Sequence, residues 1–320
     1  MVLEPTYAYP KKELTKGLIL LAVIMLIFAS WIYIKGKPSL ASAQSNISYE
    51  SPVTLDGFQS DAWFLPDEEM LGFILVPSGP FLMGGTPPTD PLAFDNERWN
   101  TDLAGNAQGT VELSDFYIGR YEVTVAQFGI FAQTVEHPVF DETLTPPPNH
   151  PVANVSWPDA LAYCRWLEAE LRAWPRTPKP LANFLKQGGH VTLPNEAQWE
   201  KAARGTDGRI YPWGSEARQD RANYGSTNTA AVGSYECPEC PFDLADTSGN
   251  VWEWTRSLYH QYPFNPIAWR TNPDTHNLWV IRGGSFTDTA RNIRTSIRGR
   301  AGPDVRRPFL GFRIALSLKQ

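Results

Sequence analysis

The chain has 320 residues, enough for one large domain or two smaller ones, and its net charge of −6 gives no overall attraction to nucleic acid. Its 24 Gly and 28 Pro exclude a long helical bundle or coiled coil, because they interrupt nearly the whole sequence. Twelve Trp residues and an aromatic content of 12% exclude a disordered chain. A loop-rich globular fold with an aromatic core remains.

The N-terminus shows the strongest change in composition. Residues 18–34 are apolar apart from Ser30 and would form a helix about 26 Å long, which predicts a transmembrane anchor. Lysines before this run favour a cytoplasmic segment at residues 1–17, with the rest of the chain in the periplasm or outside the cell. A cleaved signal peptide is the alternative, because the small residues at 41–43 fit a cleavage site.

The remaining sequence divides into a spacer and a body. Residues 35–70 are polar and lack a sustained period, which predicts an exported spacer, and residues 71–320 are predicted to form one globular domain. Apolar runs at residues 72–77 and 81–83 predict two strands, each ended by a Gly or Pro turn. Alternating residues at 111–117 predict a third strand.

Three helices are predicted in the body. Thr124 can cap the first, and apolar residues three and four apart predict the second over residues 158–171. The third begins at Asn195, forms a capping box with Gln198 and ends at Gly205. These elements predict an α+β domain with much irregular backbone.

Several sequence motifs follow one another in a fixed order along the body. They are Gly119-Arg120-Tyr121-Glu122-Val123-Thr124, Leu193-Pro194-Asn195-Glu196-Ala197-Gln198-Trp199-Glu200, Ser248-Gly249-Asn250-Val251-Trp252-Glu253-Trp254, Arg282-Gly283-Gly284-Ser285-Phe286 and Gly311-Phe312-Arg313. The series resembles the formylglycine-generating enzyme family, also called the sulfatase-modifying factor domain, over about residues 70–317. The resemblance implies a single domain, poor in regular secondary structure, with a C-type-lectin-like fold.

The resemblance also bears on catalysis. Members of the family oxidise a cysteine of a sulfatase to formylglycine with molecular oxygen, using two cysteines that bind Cu(I) just after the Gly-Gly-Ser motif. In this sequence those two positions are Asp288 and Ile293, and neither side chain can supply a thiolate. Ser285 and Trp252 match other positions near the family's active site but do not restore this chemistry. We therefore expect no bound copper and no formylglycine-generating activity.

The leading hypothesis is a non-catalytic, membrane-anchored domain that acts as a binding or structural subunit of an envelope or membrane protein complex. An oxidoreductase of the formylglycine-generating type that uses other residues or another metal is one alternative. A lectin-like ligand binder is another. No nucleic-acid partner is expected.

The three cysteines predict one disulfide and one free thiol. Cys237 and Cys240 are three residues apart in an exported loop, which favours a small disulfide, with a redox-active pair as the alternative. Cys164 lies on the apolar face of the second predicted helix and is expected to be a buried free thiol.

A calcium site is predicted where two carboxylates flank a tight turn. Asp246 and Glu253 are seven residues apart with backbone carbonyls between them, and oxygen ligands of this kind suit Ca²⁺. The spacing is similar to a structural calcium site of the family, which implies the side chains of Asp246 and Glu253 and the carbonyls of Ser248, Gly249 and Val251 as ligands. A turn closed by hydrogen bonds from amides to the Asp is the alternative.

The C-terminal stretch of the chain is strongly basic. Residues 282–313 hold eight arginines against two aspartates, a net charge of +6, which leaves −12 on the remainder. Most of these arginines are expected to connect loops through buried ion pairs. Arg306 and Arg307 are predicted to be the exposed pair that could bind an anionic ligand or partner.

Overall fold

A computed structural model describes residues 58–65, 68–99, 108–264 and 277–318. The predicted anchor at residues 18–34 and the cytoplasmic segment before it lie outside these ranges, as does most of the predicted spacer. None of the helices within the described ranges combines the length and the apolar character needed to cross a membrane.

Ten short strands in the described residues form three sheets. In chain order they are β1 Phe73–Val76, β2 Gly79–Met83, β3 Gly109–Leu113, β4 Phe116–Gly119, β5 Gly189–Thr192, β6 Trp252–Leu258, β7 Trp279–Arg282, β8 Gly299–Ala301, β9 Leu310–Gly311 and β10 Ala315–Leu318. The first sheet has the order β1-β4-β10-β5, the second is the pair β2-β3, and the third has the order β8-β7-β6-β9. All pairings are antiparallel except that of β6 with β9.

The first sheet connects the two ends of the domain. Strand β10 lies between β4 and β5, with Ala315 paired to Ile118 on one side and to Thr192 on the other. The last strand of the body is therefore central rather than peripheral. This pairing joins the two ends of the described body in one sheet.

Four α-helices complete the described body: α1 Val125–Thr134, α2 Trp157–Ala173, α3 Lys179–Lys186 and α4 Glu196–Arg204. Thr124 and Asn195 cap α1 and α4 through reciprocal capping boxes, as the sequence predicts. Ser156 and Asp159 form a third capping box at the start of α2. Each box satisfies backbone N–H groups that the first helical turn leaves unpaired.

Two elements differ from the sequence predictions. The segment predicted as one strand at residues 111–117 is divided, because β3 pairs with β2 whereas β4 enters the first sheet. The polar pair Ser114 and Asp115 forms the exposed link between these strands. Helix α3 was not predicted: it has only eight residues, and Pro178 and Pro180 at its start resemble a turn signal.

The packed body begins before the predicted boundary at residue 71. Leu65 is only 6% exposed, and Trp63, Met70 and Leu71 pack against the main core. The Trp63 ring also meets Trp174, just after α2, with ring centroids 5.5 Å apart. The polar composition of residues 35–70 conceals these few anchoring side chains, which is why the spacer was predicted to be longer.

Candidate functional site

A pair of glycines shapes the region that corresponds to the family's catalytic positions. Gly283 and Gly284, which follow β7, have φ values of +97° and +74°. A Cβ on Gly284 would lie 2.3 Å from the carbonyl oxygen of Asn292. Only glycine allows this backbone conformation and this close approach. The turn carries Ser285 and Asp288 towards the side chain of Trp252 on β6.

Asp288 is the centre of a small hydrogen-bond cluster. Its Oδ2 accepts hydrogen bonds from Trp252 Nε1 at 2.9 Å, from the Ser285 backbone N at 3.0 Å and from Ser285 Oγ at 2.7 Å. Its Oδ1 accepts a fourth from Asn292 Nδ2 at 3.0 Å. Sequence reasoning did not find Asn292. The carboxylate therefore acts as a structural acceptor that joins β6 to the loop after β7.

The side chain of Ile293 lies in the core and not in this polar cluster. Its side chain is fully buried and packs with Tyr211 and Ala222 in a small apolar cluster. The Ser248 hydroxyl donates a hydrogen bond to the Ile293 carbonyl at 2.7 Å. The structure thus brings Trp252, Ser285 and Asp288 together and directs the side chain of Ile293 into the core. The site lacks the thiolates that Cu(I) chemistry requires.

The two carboxylates of the predicted calcium site have different surroundings. Glu253 is fully buried and accepts hydrogen bonds from Arg313 at 2.7 Å on each of its oxygens, and from Trp199 Nε1 at 2.6 Å. Asp246 Oδ2 accepts a hydrogen bond from the Gly233 backbone N at 2.6 Å. Asp246 Oδ1 is buried without a hydrogen-bond partner among the described residues.

A third buried carboxylate increases the negative charge of this region. Glu122 accepts hydrogen bonds from Asn250 Nδ2 at 2.7 Å and from the Val251 backbone N at 3.1 Å. Burial and the charges of Asp246 and Glu253 raise the pKa of Glu122 well above its usual range. Burial also raises the pKa of Asp246 to about 6. Arg313 is the cation paired with Glu253 in this group.

The predicted calcium ligands fit this arrangement only in part. Asp246 offers one unpartnered oxygen, whereas both oxygens of Glu253 are bound by Arg313 and Trp199. Within the described ranges, no group of three or more His, Cys, Asp or Glu side chains is placed to hold a metal ion. The amide-to-Asp hydrogen bond from Gly233 corresponds to the alternative interpretation of this turn.

Four of the eight arginines of the basic stretch are buried in ion pairs, fewer than predicted, because Arg291 and Arg300 are also exposed. Their carboxylate partners come from distant parts of the chain: Arg282 pairs with Glu196 and Glu200, Arg294 with Asp90 and Glu97, Arg298 with Glu196, and Arg313 with Glu253. We call these four residues the arginine core. It connects the C-terminal stretch to α4, to β6 and to the loop after β2.

The prediction that Arg306 is exposed and free is wrong. Its guanidinium donates to Asp159 Oδ2 at 2.7 Å and lies over the Phe140 ring at 4.4 Å. Asp159 belongs to the capping box of α2, and a hydrogen bond from the Trp157 N–H to the Pro303 carbonyl holds the helix start near Arg306. Arg307 alone of this pair is exposed.

The structure contains a disulfide between Cys237 and Cys240, whose Cα atoms are 5.3 Å apart. Two arginines hold the same loop: Arg209 donates to the Glu239 carbonyl at 2.6 Å, and Arg221 donates to the Glu236 carbonyl at 2.7 Å. Cys164 is a buried free thiol, and burial raises its pKa. None of the three sulfur atoms belongs to the Asp288 cluster.

The comparisons with known proteins agree with these features. The chain is 29% identical to a "Formylglycine-generating enzyme" of Thermomonospora curvata, over 78% of this chain and 95% of that one. It is 33% identical to an "Inactive C-alpha-formylglycine-generating enzyme 2" of Mus musculus, over 52% of this chain and about half (49%) of the relative. The structure of PvdO from Pseudomonas aeruginosa shares the fold, with a TM-score of 0.59, 24% identity and coverage of 77% of this chain and 94% of that one.

The family match covers nearly all of the described body. The family described as "Sulfatase-modifying factor enzyme 1-like domain" matches residues 63–318. This range begins at the Trp63 contact and ends with the last residue of β10. The chain therefore belongs to the sulfatase-modifying factor (FGE-sulfatase) family.

Proposed function

We propose that this chain is a non-catalytic member of its family that acts as a binding or structural subunit of a membrane or envelope protein complex. The observation that carries the proposal is which residues occupy the two positions that bind copper in catalytic members of the family. Asp288 provides a hard carboxylate that already accepts four hydrogen bonds, and Ile293 is an apolar core residue. Soft thiolates are the ligands that Cu(I) chemistry needs.

The other cysteines do not replace the missing pair. Cys164 is buried within the main core, and Cys237 and Cys240 are joined to each other. The fold around the site is nonetheless complete, because the glycine turn and the arginine core are both present. An intact scaffold without the two thiolates supports a role in binding rather than in formylglycine chemistry. A relative that is itself called inactive supports the same reading.

The cellular setting is part of the proposal. The apolar run at residues 18–34 supports a single anchor with the body on the outer side of the membrane. Calcium is proposed as a structural ion bound near Asp246, because the buried Oδ1 atom has no hydrogen-bond partner among the described residues and a carboxylate oxygen is a ligand that suits Ca²⁺. Glu253 is assigned to Arg313 and not to the ion.

A direct assay tests the absence of catalysis. The full chain, purified in mild detergent, is incubated with Cu(I), oxygen, a thiol reductant and a cysteine-containing sulfatase peptide, with the Thermomonospora curvata relative as the positive control. Mass spectrometry is expected to find the aldehyde only in the control. Formylglycine produced by this chain in amounts exceeding its own concentration would overturn the proposal.

Affinity purification tests the subunit role. We expect a partner to remain with the chain in mild detergent at a fixed stoichiometry. A matched purification of an unrelated single-pass protein from the same membrane removes non-specific binders. If the chain elutes alone and monomeric, the subunit role is wrong even where the assay finds no catalysis.

A further inference from the structure

The connection between α2 and β5 forms a basic surface. Between Glu170 and Glu196 the sequence has four cationic residues, at positions 172, 176, 179 and 186, and no Asp or Glu. We call residues 171–190, which include α3, the basic hairpin. Its net charge of +4 contrasts with the net −6 of the whole chain.

Three of these four cations are available for binding. Arg172 is bound by Glu168 at 2.8 Å and donates to the carbonyls of Leu185 and Gly189. The other three side chains are exposed, and none of them forms an ion pair with a carboxylate in the described parts of the chain; they belong to Arg176, Lys179 and Lys186. Their charges therefore face solvent and are not paired with a carboxylate of the described residues.

Aromatic rings border these cations. Trp63, Phe64 and Trp174 form a cluster with ring centroids 4.8 to 5.5 Å apart, and all three are partly exposed. The Arg176 guanidinium lies 4.8 Å from the centre of the Trp174 ring. Partly exposed tryptophan beside cationic side chains is the composition of protein surfaces at the level of lipid headgroups.

The same aromatic cluster holds the start of the described chain against the body, next to the basic hairpin. Trp63 and Phe64 pack on Trp174, so the backbone at residue 58 enters beside the basic hairpin. Residues 35–57, between the predicted anchor and this point, number 23 and can span at most about 80 Å. A membrane that holds residues 18–34 therefore lies within reach of this face.

We propose that the basic hairpin binds the anionic phospholipid headgroups of the membrane that carries the chain. The proposal rests on the anchor included in the proposed function. Lipid phosphates complement the three free cations, and the aromatic cluster fits the adjacent interface. The chain outside the hairpin carries a net charge of −10, so an anionic surface attracts this face more strongly than the average of the others. The contact would give the body one orientation on the membrane.

A dye placed on the hairpin reports the contact in the full chain. Gln187, an exposed residue after α3, is changed to Cys and labelled with an environment-sensitive fluorophore, since Cys164 is buried and the other two cysteines are bonded. The chain is placed in nanodiscs of phosphatidylcholine alone or with phosphatidylglycerol. A label at Glu142→Cys, exposed in another loop, is the matched control.

We expect the emission of the fluorophore at position 187 to shift to the blue only in nanodiscs with phosphatidylglycerol, and we expect high salt to abolish this shift. The variant R176Q/K179Q/K186Q should lower the equilibrium constant of the membrane contact about a hundredfold, because each cation contributes a factor of about five. The matched variant R218Q/R291Q/R300Q removes three exposed arginines elsewhere and should keep the shift. Equal emission in both lipids, or equal loss in both variants, would overturn the inference. Thermal melts verify that both variants fold.

Alkaline carbonate extraction separates this inference from the proposed anchor. If the chain resists extraction but the dye does not respond to phosphatidylglycerol, the anchor stands and the hairpin contact is wrong. If carbonate releases the chain, the anchor is wrong. In that case a dye response to added phosphatidylglycerol vesicles would support the contact by itself, and no response would reject it.

Discussion

The arginine core and Asp288 lie on the same C-terminal stretch, but they differ in burial and in the charge of their hydrogen-bond partners. In the arginine core, charged side chains are almost fully removed from water and each guanidinium has a carboxylate partner. Asp288 is only partly buried, and its partners are neutral donors that water can replace. A buried charge that loses its partner is far more costly than a half-exposed hydrogen bond.

This difference shows how a fold of this family can accommodate different side chains at the positions of Asp288 and Ser285 without losing its framework. The buried ion pairs connect α4, β6 and the C-terminal strands, so the fold depends on them. Asp288 lies at the edge of this framework, where substitution leaves few groups unsatisfied, whereas Ile293 is buried in the core. We therefore expect stability to depend more on the arginine core than on Asp288, and the following predictions test that difference.

The largest effect is expected from Arg313→Met. The change leaves Glu253 buried with only the Trp199 donor, so the free energy of unfolding should fall by about 3–5 kcal/mol. Urea denaturation followed by circular dichroism measures this loss. Arg307→Met, at an exposed position of the same stretch, should change it by less than about 0.5 kcal/mol.

The double variant Arg313→Met/Glu253→Gln tests whether the loss of stability comes from the unpaired charge of Glu253. Because it removes both charges, it should recover part of the stability that Arg313→Met loses. A loss for Arg313→Met no larger than that for Arg307→Met would mean that the arginine core does not support the fold.

The second effect is a pH dependence that originates at Asp246. Burial raises the pKa of Asp246 from 3.8 to about 6, so the folded state holds a proton that the unfolded state releases. The stability contribution of Asp246 is therefore greatest below pH 4 and is lost as the pH rises to about 6, a total change of about 3 kcal/mol. The difference in unfolding free energy between the wild type and Asp246→Asn, measured from pH 4 to 7.5 without calcium, gives this contribution.

Calcium provides the control for that measurement. An ion bound at Asp246 favours the carboxylate, so at pH 7.5 calcium should stabilise the wild type more than Asp246→Asn. Equal responses of the two proteins to calcium and to a chelator would reject the proposed ion. A pH profile that is the same for both would reject the buried, protonated Asp246.

Features encoded by nearby residues could be predicted from the sequence. The caps at Thr124 and Asn195 depend on groups three residues apart, and short spacing likewise indicated the bond between Cys237 and Cys240. The family motifs located Asp288 by counting from the glycine turn. Each of these predictions needed only local geometry or an ordered motif.

Features that depend on long-range contacts could not be predicted. Trp252 reaches Asp288 across 36 residues, and Arg306 meets Asp159 across 147, so no spacing rule connects them. Glu253 was expected to be a calcium ligand from its spacing to Asp246, and its actual partner Arg313 is 60 residues away. A charged residue inside an apolar motif was the available signal that such a partner exists, because burial of an unpaired charge is so unfavourable.

A smaller effect is expected from the loop disulfide. The disulfide closes a loop of four residues, which accounts for about 2 kcal/mol of the free energy of unfolding. Replacing Cys237 and Cys240 by Ser should therefore lower the melting temperature by about 4–8 °C. Cys164→Ser is not a suitable control because that thiol is buried, so the wild type with and without reductant serves instead. An unchanged melting temperature would show that Arg209 and Arg221 hold the loop without the disulfide.

The smallest effect is expected at Asp288, one of the two positions that hold copper-binding cysteines in catalytic members of the family. Asp288→Ala frees the donors of Trp252, Ser285 and Asn292, but water can reach this partly exposed site, so the loss should be about 1 kcal/mol. Asp304→Ala, at an exposed residue nearby in the sequence, gives the baseline for removing a carboxylate. Urea denaturation of both variants beside Arg313→Met compares the two regions directly. A loss at Asp288 as large as that at Arg313 would mean that this carboxylate supports the fold as strongly as the arginine core does. A small loss would instead show that this edge of the framework tolerates substitution, so that its functional groups can change without loss of the fold.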